Sequence, residues 1–204
     1  LPYMKYLGYQ KIQIAVISHM DIDHYSGIKE LLEMGKIKYL GLPEIPKDET
    51  MKKIIGIAKK RGTTIFYLSR GRQITRKDGS LKVLHPQKNS QMEKNAASLV
   101  MQGKILGYRV LLTGDVEKEG EEELLSEELE RADILKAAHH GSKNSTSNEF
   151  LQKVQPKQTV ISCGKQNRYG HPHLETIHRL QTYRTKIYRT DRSGAIIFFK
   201  RRDG

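Results

Sequence analysis

Four side chains that can bind a metal ion lie within six residues near the start of the chain, and they are His19, Asp21, Asp23 and His24. They directly follow a largely apolar run, Ile12 to Ile17. Such a run predicts a buried strand, and the loop at its end would present imidazole nitrogens and carboxylate oxygens together. Divalent cations bind these donors. The spacing therefore predicts a metal centre at the end of the first strand.

The same arrangement recurs at later points along the chain. Asp115 follows one apolar run, the pair His139 and His140 follows the next, and His171 comes after a longer loop in Gly-His-Pro-His. Side chains at the ends of neighbouring strands can converge on one rim of an α/β sheet. For Asp115 the alternative is an ordinary helix N-cap. His173 is the substitute for His171 as a metal ligand, and its own alternative is the N-cap of the helix beginning near Leu174.

Strand-like and helix-like segments alternate along the chain, which predicts an α/β architecture with antiparallel hairpins in the middle. Strands are predicted at Ile12–Ser18, Lys38–Leu42, Thr63–Leu68, Leu81–His85, Ser98–Met101, Tyr108–Thr113, Ile134–Ala138, Thr159–Ser162, Lys186–Tyr188 and Ala195–Phe199. Helices are predicted from Ser26 to about Met34, over Met51–Ala58, over Glu117–Glu130, near Asn148 and over Leu174–Tyr183. We expect residues 1–204 to form one domain.

The charge of the chain is strongly positive and unevenly distributed. There are 36 lysines and arginines against 23 aspartates and glutamates, a formal net charge of +13. Eight glutamates fall between Glu117 and Glu130 with only Lys118 among them, so the remainder carries 35 basic against 15 acidic residues, a net of +20. A cationic surface of this kind attracts polyanions such as nucleic acid or an anionic membrane face. The alternative is a lysine-rich surface that serves solubility alone.

The single cysteine, Cys163, excludes an intrachain disulfide and a cysteine-based zinc knuckle. Any metal ion would therefore be bound by histidine and carboxylate. No apolar run approaches the roughly 20 residues that span a bilayer, and the N-terminus lacks a signal-peptide pattern.

Several motifs together resemble the metallo-β-lactamase superfamily. Its first metal motif, HxHxDH, stands here as His19-Met20-Asp21-Ile22-Asp23-His24, and Thr113-Gly114-Asp115 matches the strand end that carries a metal-bridging aspartate. Further segments are similar to the C-terminal domain of the ComEC family of DNA-internalisation proteins, and they are 95–100, 111–115, 135–145, 167–173 and 188–195. The resemblance implies an αββα four-layer sandwich. It also implies metal ligands at His19, Asp21, Asp23, His24, Asp115 and His171.

The sequence departs from the superfamily pattern in three places. No Asp-Val-Gly-Gln-Gly-Asp-Ala signature precedes Leu1, so we expect an N-terminally truncated domain. Asp21 stands where a histidine is usual, and Asn95 occupies the slot of a further histidine. More carboxylate and less imidazole favours a harder ion, so Mn²⁺ competes with Zn²⁺, with one or two ions bound.

The remaining candidate residues would act on the substrate. By position, His139 and His140 are similar to the loop that superfamily phosphodiesterases use to protonate a leaving oxygen, and Asp23 completes the catalytic set. Ser142, Arg168 and Arg189 are candidates for binding the substrate. Tyr169 and Tyr188 lie among the basic residues; they either stack on bases or pack within the fold.

These observations predict a metal-dependent hydrolase, a phosphodiesterase that degrades DNA during competence-related DNA uptake. The resemblance implies a place on the external face of a bacterial cell membrane, beside the transmembrane channel portion of the same parent protein. A cytoplasmic location is the alternative. No small organic cofactor is indicated. Two other functions stay open: a DNA-binding module that has lost catalysis, and a hydrolase of a small ester or lactam.

Overall fold

A computed structural model describes residue 4 and residues 6–92, 95–127 and 129–200. The strands are β1 (Ile12–Val16), β2 (Ile37–Pro43), β3 (Thr64–Leu68), β4 (Gln73–Arg76), β5 (Gly79–His85), β6 (Val100–Ile105), β7 (Tyr108–Leu112), β8 (Ile134–Lys136), β9 (Gln158–Ile161) and β10 (Lys186–Arg189). The α-helices are α1 (Ile22–Glu33), α2 (Glu49–Lys60), α3 (Lys118–Leu125), α4 (Asn148–Val154), α5 (Leu174–Thr182) and α6 (Thr190–Ser193). A 3₁₀ turn covers Ala138–Gly141.

The strands form two sheets. The first has the order β1-β2-β3 with every pair parallel, which the helical crossovers α1 and α2 allow. The second has the order β10-β9-β8-β7-β6-β5-β4. Its strands are antiparallel from β4 to β7 and parallel from β7 to β10. Strands β7, β8 and β9 therefore end at one edge of the second sheet.

Three apolar clusters separate four layers. One cluster joins α1 and α2 to the first sheet, with Leu32, Leu40 and Ile54 almost fully buried. A second, which includes Leu135 and Phe150, joins α3, α4 and α5 to the second sheet. A third, smaller cluster lies between the sheets. The αββα sandwich expected from the sequence is confirmed, because each sheet buries one face on helices and the other on its partner sheet.

The predicted elements differ from the observed ones in a few places. No strand forms at Ala195–Phe199, where Phe198 instead contacts the rings of Tyr108 and Tyr188 edge-on and Phe199 is exposed. This prediction was wrong, because an apolar run forms a strand only where its backbone pairs with a sheet edge, and residues 195–199 make no such pairing. Strand β4 was not predicted, although Asp78-Gly79 is a sequence signal for a hairpin. The structure shows why a glycine lies there, because a Cβ at Gly79 would collide with the Lys104 carbonyl oxygen.

Two helices also have different bounds from those predicted. Helix α1 begins at Ile22 with Asp21 as its N-cap residue, four residues before the predicted cap at Ser26. Helix α3 ends at Leu125 instead of Glu130, and Glu128 lies outside the described residues. The early start of α1 places Asp23 and His24 in its first turn. Among the described residues, no helix is both long enough and apolar enough to cross a bilayer.

A buried carboxylate beside β8 makes stability depend on pH. Burial by itself raises the pKa of Asp133, but hydrogen bonds from the Arg109 amide and the Lys157 ammonium outweigh it and lower the pKa to about 2. A depressed pKa contributes stability above the unfolded-state value near 4, and that contribution is lost as the pH falls through about 2. We expect Asp133→Asn to remove about 2 kcal/mol of the stability measured at pH 7 and to flatten the unfolding free energy between pH 4 and pH 2. Urea unfolding at several pH values tests this, and an unchanged acid profile would contradict it.

Candidate metal centre

The loop after β1 presents two histidines whose rings are held by one hydroxyl. The Ser18 hydroxyl lies 3.1 Å from Nδ1 of His19 and 3.1 Å from Nδ1 of His24. Both Nδ1 atoms are thereby engaged, so both Nε2 atoms face away from Ser18. Because the nitrogen that carries a metal ion is set by the hydrogen bond at the other nitrogen, Ser18 orients these rings as ligands.

Asp115 is held just beyond the end of β7. Its amide donates a hydrogen bond to the Ser98 hydroxyl at 3.1 Å, and its side chain is buried. Gly114 adopts φ of +53°, and a Cβ there would lie 2.9 Å from Cβ of Ser98, so the chain turns where a larger residue would not fit. Glu117, and not Asp115, is the N-cap residue of α3. The carboxylate of Asp115 is therefore available to the loop after β1.

The histidine pair after β8 has a strained backbone. His139 and His140 have φ of 45° and 53°, the left-handed region that costs a non-glycine residue of order 1–3 kcal/mol. Nδ1 of His140 lies 2.6 Å from the Ser162 carbonyl oxygen, which only accepts a hydrogen bond. In the neutral ring Nδ1 therefore carries the proton, and Nε2 keeps its lone pair.

Nitrogen and oxygen atoms from the three loops converge on one point. Oδ2 of Asp115 lies 3.2 Å from Nε2 of His24 and 3.0 Å from Nε2 of His140. These two nitrogens are 3.1 Å apart, and Oδ2 of Asp23 is 3.1 Å from Nε2 of His140. Two groups of three offer ligand atoms that all lie within 4.8 Å of one another: His19, His24 and Asp115, and Asp23, His24 and His140. The groups share His24.

The donors in this cluster fit a divalent cation. Nε2 of His19 is buried and has no hydrogen-bond partner among the described residues. An unpaired buried nitrogen costs free energy unless a ligand satisfies it. The nearest carboxylate oxygen, Oδ2 of Asp21, is 3.8 Å away, beyond hydrogen-bond distance. Imidazole nitrogens and carboxylate oxygens are the donors that Zn²⁺ and Mn²⁺ accept.

The electrostatics keep the cluster ready for a cation. Burial lowers the pKa of His19 to about 4, with the charge of His24 acting in the same direction, so its ring is neutral at pH 7. Burial alone would raise the pKa of Asp115, but its contacts with the His140 and His24 rings and the charge of Lys136 hold this pKa well below its usual range. A neutral imidazole and an ionised carboxylate are the protonation states that bind metal.

Comparison with known proteins agrees with this geometry. Residues 3–165 match the Metallo-beta-lactamase superfamily. The chain belongs to this superfamily. The metallo-beta-lactamase fold protein YhfI from Bacillus subtilis is 14% identical, with a TM-score of 0.61 over 92% of this chain and 78% of that one. At this identity the structural similarity shows the fold alone.

The superfamily domain is also similar to competence proteins. ComE operon protein 3 of Bacillus subtilis (strain 168) is 38% identical over 210 residues, covering 100% of this chain and 27% of the relative. Competence protein ComA of Neisseria gonorrhoeae is 30% identical over 211 residues, covering 100% and 28%. The chain thus spans about a quarter of the length of these curated relatives.

Two further histidines, His139 and His171, lie outside the two groups of candidate metal ligands. His171 belongs to neither group of three, and its ring centroid lies 6.3 Å from that of His140. Burial and the neighbouring His139 lower the pKa of His171 to about 4. Nδ1 of His139 lies 2.9 Å from Oε1 of Glu117, so this ring is held outside the cluster. His140, and not His171, belongs to a group of side chains that could hold a metal ion, and the ligand role of His171 stays a prediction.

The three predicted substrate residues have other contacts. The hydroxyl of Ser142 is buried and accepts a hydrogen bond from the Asn144 amide at 3.3 Å. Arg189 forms a bidentate ion pair with Asp191 at 3.0 and 2.6 Å, which neutralises its charge. Arg168 is exposed and lies over the Tyr169 ring. Of the three, Arg168 alone offers an exposed charge, and the substrate roles of all three stay predictions.

The sequence analysis did not predict two residues that contact the candidate metal ligands, Lys136 and Ser18. Nζ of Lys136 donates to the Gly114 carbonyl oxygen at 2.6 Å and lies 3.1 Å from Oδ1 of Asp115. Ser18 fixes the rings of His19 and His24 as described above. A lysine at the inward end of an otherwise apolar strand was the available signal for Lys136. Ser18 offered no signal, since its contacts depend on where the ring nitrogens fall.

Proposed function

We propose that this domain is a metal-dependent phosphodiesterase that acts on DNA. The observation that carries the proposal is that two groups of three ligand atoms, His19, His24 and Asp115 and Asp23, His24 and His140, lie together and share His24, in a chain whose charge outside α3 is strongly positive. The cluster supplies ligands for a cation that activates hydrolysis, and the surface charge favours a polyanionic substrate. A small neutral ester or lactam would gain nothing from that charge.

A divalent cation bound by these ligands would lower the pKa of a water molecule and neutralise charge on the non-bridging phosphate oxygens. Side chains of the protein would supply the other steps. The contact of Glu117 with Nδ1 of His139 leaves Nε2 of this ring free of that carboxylate, and we propose that His139 donates a proton from Nε2 to the leaving oxygen. His140 would serve as a ligand through Nε2.

Two ions, Mn²⁺ and Zn²⁺, are candidates for this site. Two carboxylates, Asp23 and Asp115, belong to the groups that could hold an ion, whereas Asp21, predicted as a third ligand, belongs to neither group. Oxygen-rich sites favour harder ions, so we propose Mn²⁺ ahead of Zn²⁺, with one or two ions bound.

The similarity to competence proteins supports a role in DNA uptake. The name of Competence protein ComA places that relative in competence, and both ComA and ComE operon protein 3 are several times longer than this chain. We propose that the domain is part of a larger membrane protein, lies at the external face of the bacterial membrane, and degrades DNA beside the transmembrane channel of the same protein.

The proposal is tested by cleavage of single- and double-stranded DNA with added Mn²⁺. We expect the wild-type chain to cleave and Asp23→Ala to lose activity by 100-fold or more, on the order of the effect of removing a group that acts on the reacting centre. The matched control is Glu33→Ala, which removes an exposed carboxylate from the far end of the same helix. Equal activity in the wild type and Asp23→Ala would indicate a contaminating nuclease and overturn the proposal.

Metal content separates this function from its main alternative. Elemental analysis of the purified chain after dialysis against Mn²⁺ or Zn²⁺ should show bound metal. If neither ion binds while DNA still does, a DNA-binding module without catalysis becomes the better interpretation.

A further inference from the structure

A series of stacked rings leads outward from the metal cluster. The ring of His171 stacks on that of His140, with centroids 6.3 Å apart and planes at 20°. The ring of Tyr169 stacks in turn on His171, with centroids 5.8 Å apart and planes at 25°. His140 itself contacts Asp23 and Asp115. The rings therefore form a nearly parallel path from the proposed reaction site to the surface.

The outermost ring of this path is exposed. Tyr169 is 60% exposed. Its hydroxyl lies 2.7 Å from Nη2 of Arg168, and the guanidinium lies 4.9 Å from the ring centroid. An exposed aromatic side chain with an exposed guanidinium against its ring is a combination that proteins use to bind unpaired bases and their phosphates.

The other candidate tyrosine has a different environment. Tyr188 is half-buried, and its ring meets that of Phe198 edge-on at 6.1 Å. This contact is ordinary packing. The structure therefore distinguishes two tyrosines that the sequence left equivalent, and Tyr169 alone of this pair has the geometry of a stacking residue.

We propose that Tyr169 is a nucleobase-stacking residue, which places an unpaired base of the nucleic acid close to the phosphate bound at the metal cluster, with Arg168 contacting the backbone. This inference rests on the proposed function for the nature of the substrate. A base in a duplex is already stacked on its neighbours, so a stacking residue selects single-stranded segments, frayed ends or flipped bases.

The test measures binding, so that it is independent of cleavage. Affinity of the full chain, without added metal, is measured by fluorescence anisotropy for two single strands of equal length, an oligothymidylate and the same strand with abasic sites throughout. We expect the wild-type chain to prefer the base-bearing strand. Tyr169→Ala should reduce that preference about 5- to 150-fold, the effect of losing one stacked base, whereas Tyr169→Trp should retain it. The matched control is Tyr9→Ala, an exposed tyrosine before β1.

Each outcome decides one question. Equal affinity of the wild type for both strands, or an unchanged preference in Tyr169→Ala, would overturn the stacking role even if DNA is cleaved. A base-dependent preference that Tyr169→Ala removes would support it even if the cleavage assay fails, in which case the proposed hydrolysis falls and the base-binding role stands.

Discussion

The Asp115→Ala variant is expected to bind Mn²⁺ more than about 100-fold more weakly than the wild type. Loss of a residue that only hydrogen-bonds to a metal ligand already lowers metal affinity about 10- to 100-fold. Among the described residues, Oδ2 of Asp115 is the one oxygen within 3.2 Å of Nε2 of both His24 and His140, so its removal takes a donor from the centre of the cluster. Calorimetric titration with Mn²⁺ measures this effect. Unchanged affinity would exclude Asp115 as a ligand.

The same variant should also be less stable in its metal-free form. Removing the carboxylate leaves the ammonium of Lys136, 3.1 Å away and largely buried, without its charged partner. Breaking one side of a buried pair costs about 3–5 kcal/mol. Urea unfolding measures the free energy of unfolding.

A double variant separates the two effects of Asp115. In Asp115→Ala/Lys136→Met the uncompensated charge is gone, so we expect most of the lost stability to return while Mn²⁺ binding stays weak. If the double variant recovered Mn²⁺ affinity as well, the loss in the single variant would reflect a disturbed fold and not a missing ligand.

The second large effect concerns Glu121, which lies in α3 outside the metal cluster. Its carboxylate is buried and accepts hydrogen bonds from the backbone amides of Thr146 and Ser147, the latter at 3.0 Å. Burial raises the pKa of Glu121, while these hydrogen bonds oppose the rise. Because Thr146 has φ of 56°, the carboxylate holds the loop that follows His139 and His140 in an otherwise unfavourable conformation.

We expect Glu121→Ala to lower the free energy of unfolding by about 2–4 kcal/mol, since it leaves two buried amide groups unsatisfied. Glu121→Gln keeps an acceptor oxygen and is the matched control, with a smaller expected loss. Urea unfolding of both variants at pH 7 measures the difference. If Glu121→Ala were as stable as Glu121→Gln, water would have to satisfy the two amides and the carboxylate would not hold the loop.

Local patterns were sufficient for most of the fold. The apolar runs of β1, β7 and β8 each end immediately before polar residues, and the chain order of these ends placed His19, Asp115 and His140 on one rim. The spacing of Met51, Ile54 and Ala58 predicted α2, which buries these three residues. These features depend on periodicities of two and 3.6 residues, which neighbouring residues determine.

The limits of the sequence appear where two distant segments meet. Nothing in the local pattern of His139-His140 or Gly170-His171-Pro172-His173 decides which imidazole faces the metal cluster. The carbonyl oxygen of Ser162, just after β9, accepts a hydrogen bond from Nδ1 of His140, and this contact from a distant segment orients the His140 ring. The pairing of Lys136 with Asp115 likewise requires the folded chain.

The sequence by itself determined the donor types, their position at strand ends, the superfamily and the cationic surface, since all of these follow from residue identity and short-range spacing. Only the tertiary structure decided which donors converge, which tyrosine is exposed, and that Ala195–Phe199 is not a strand. The physical reason is that ligand geometry and strand pairing depend on distances between atoms far apart in the chain. Those distances are fixed by packing of the two sheets and not by local preference.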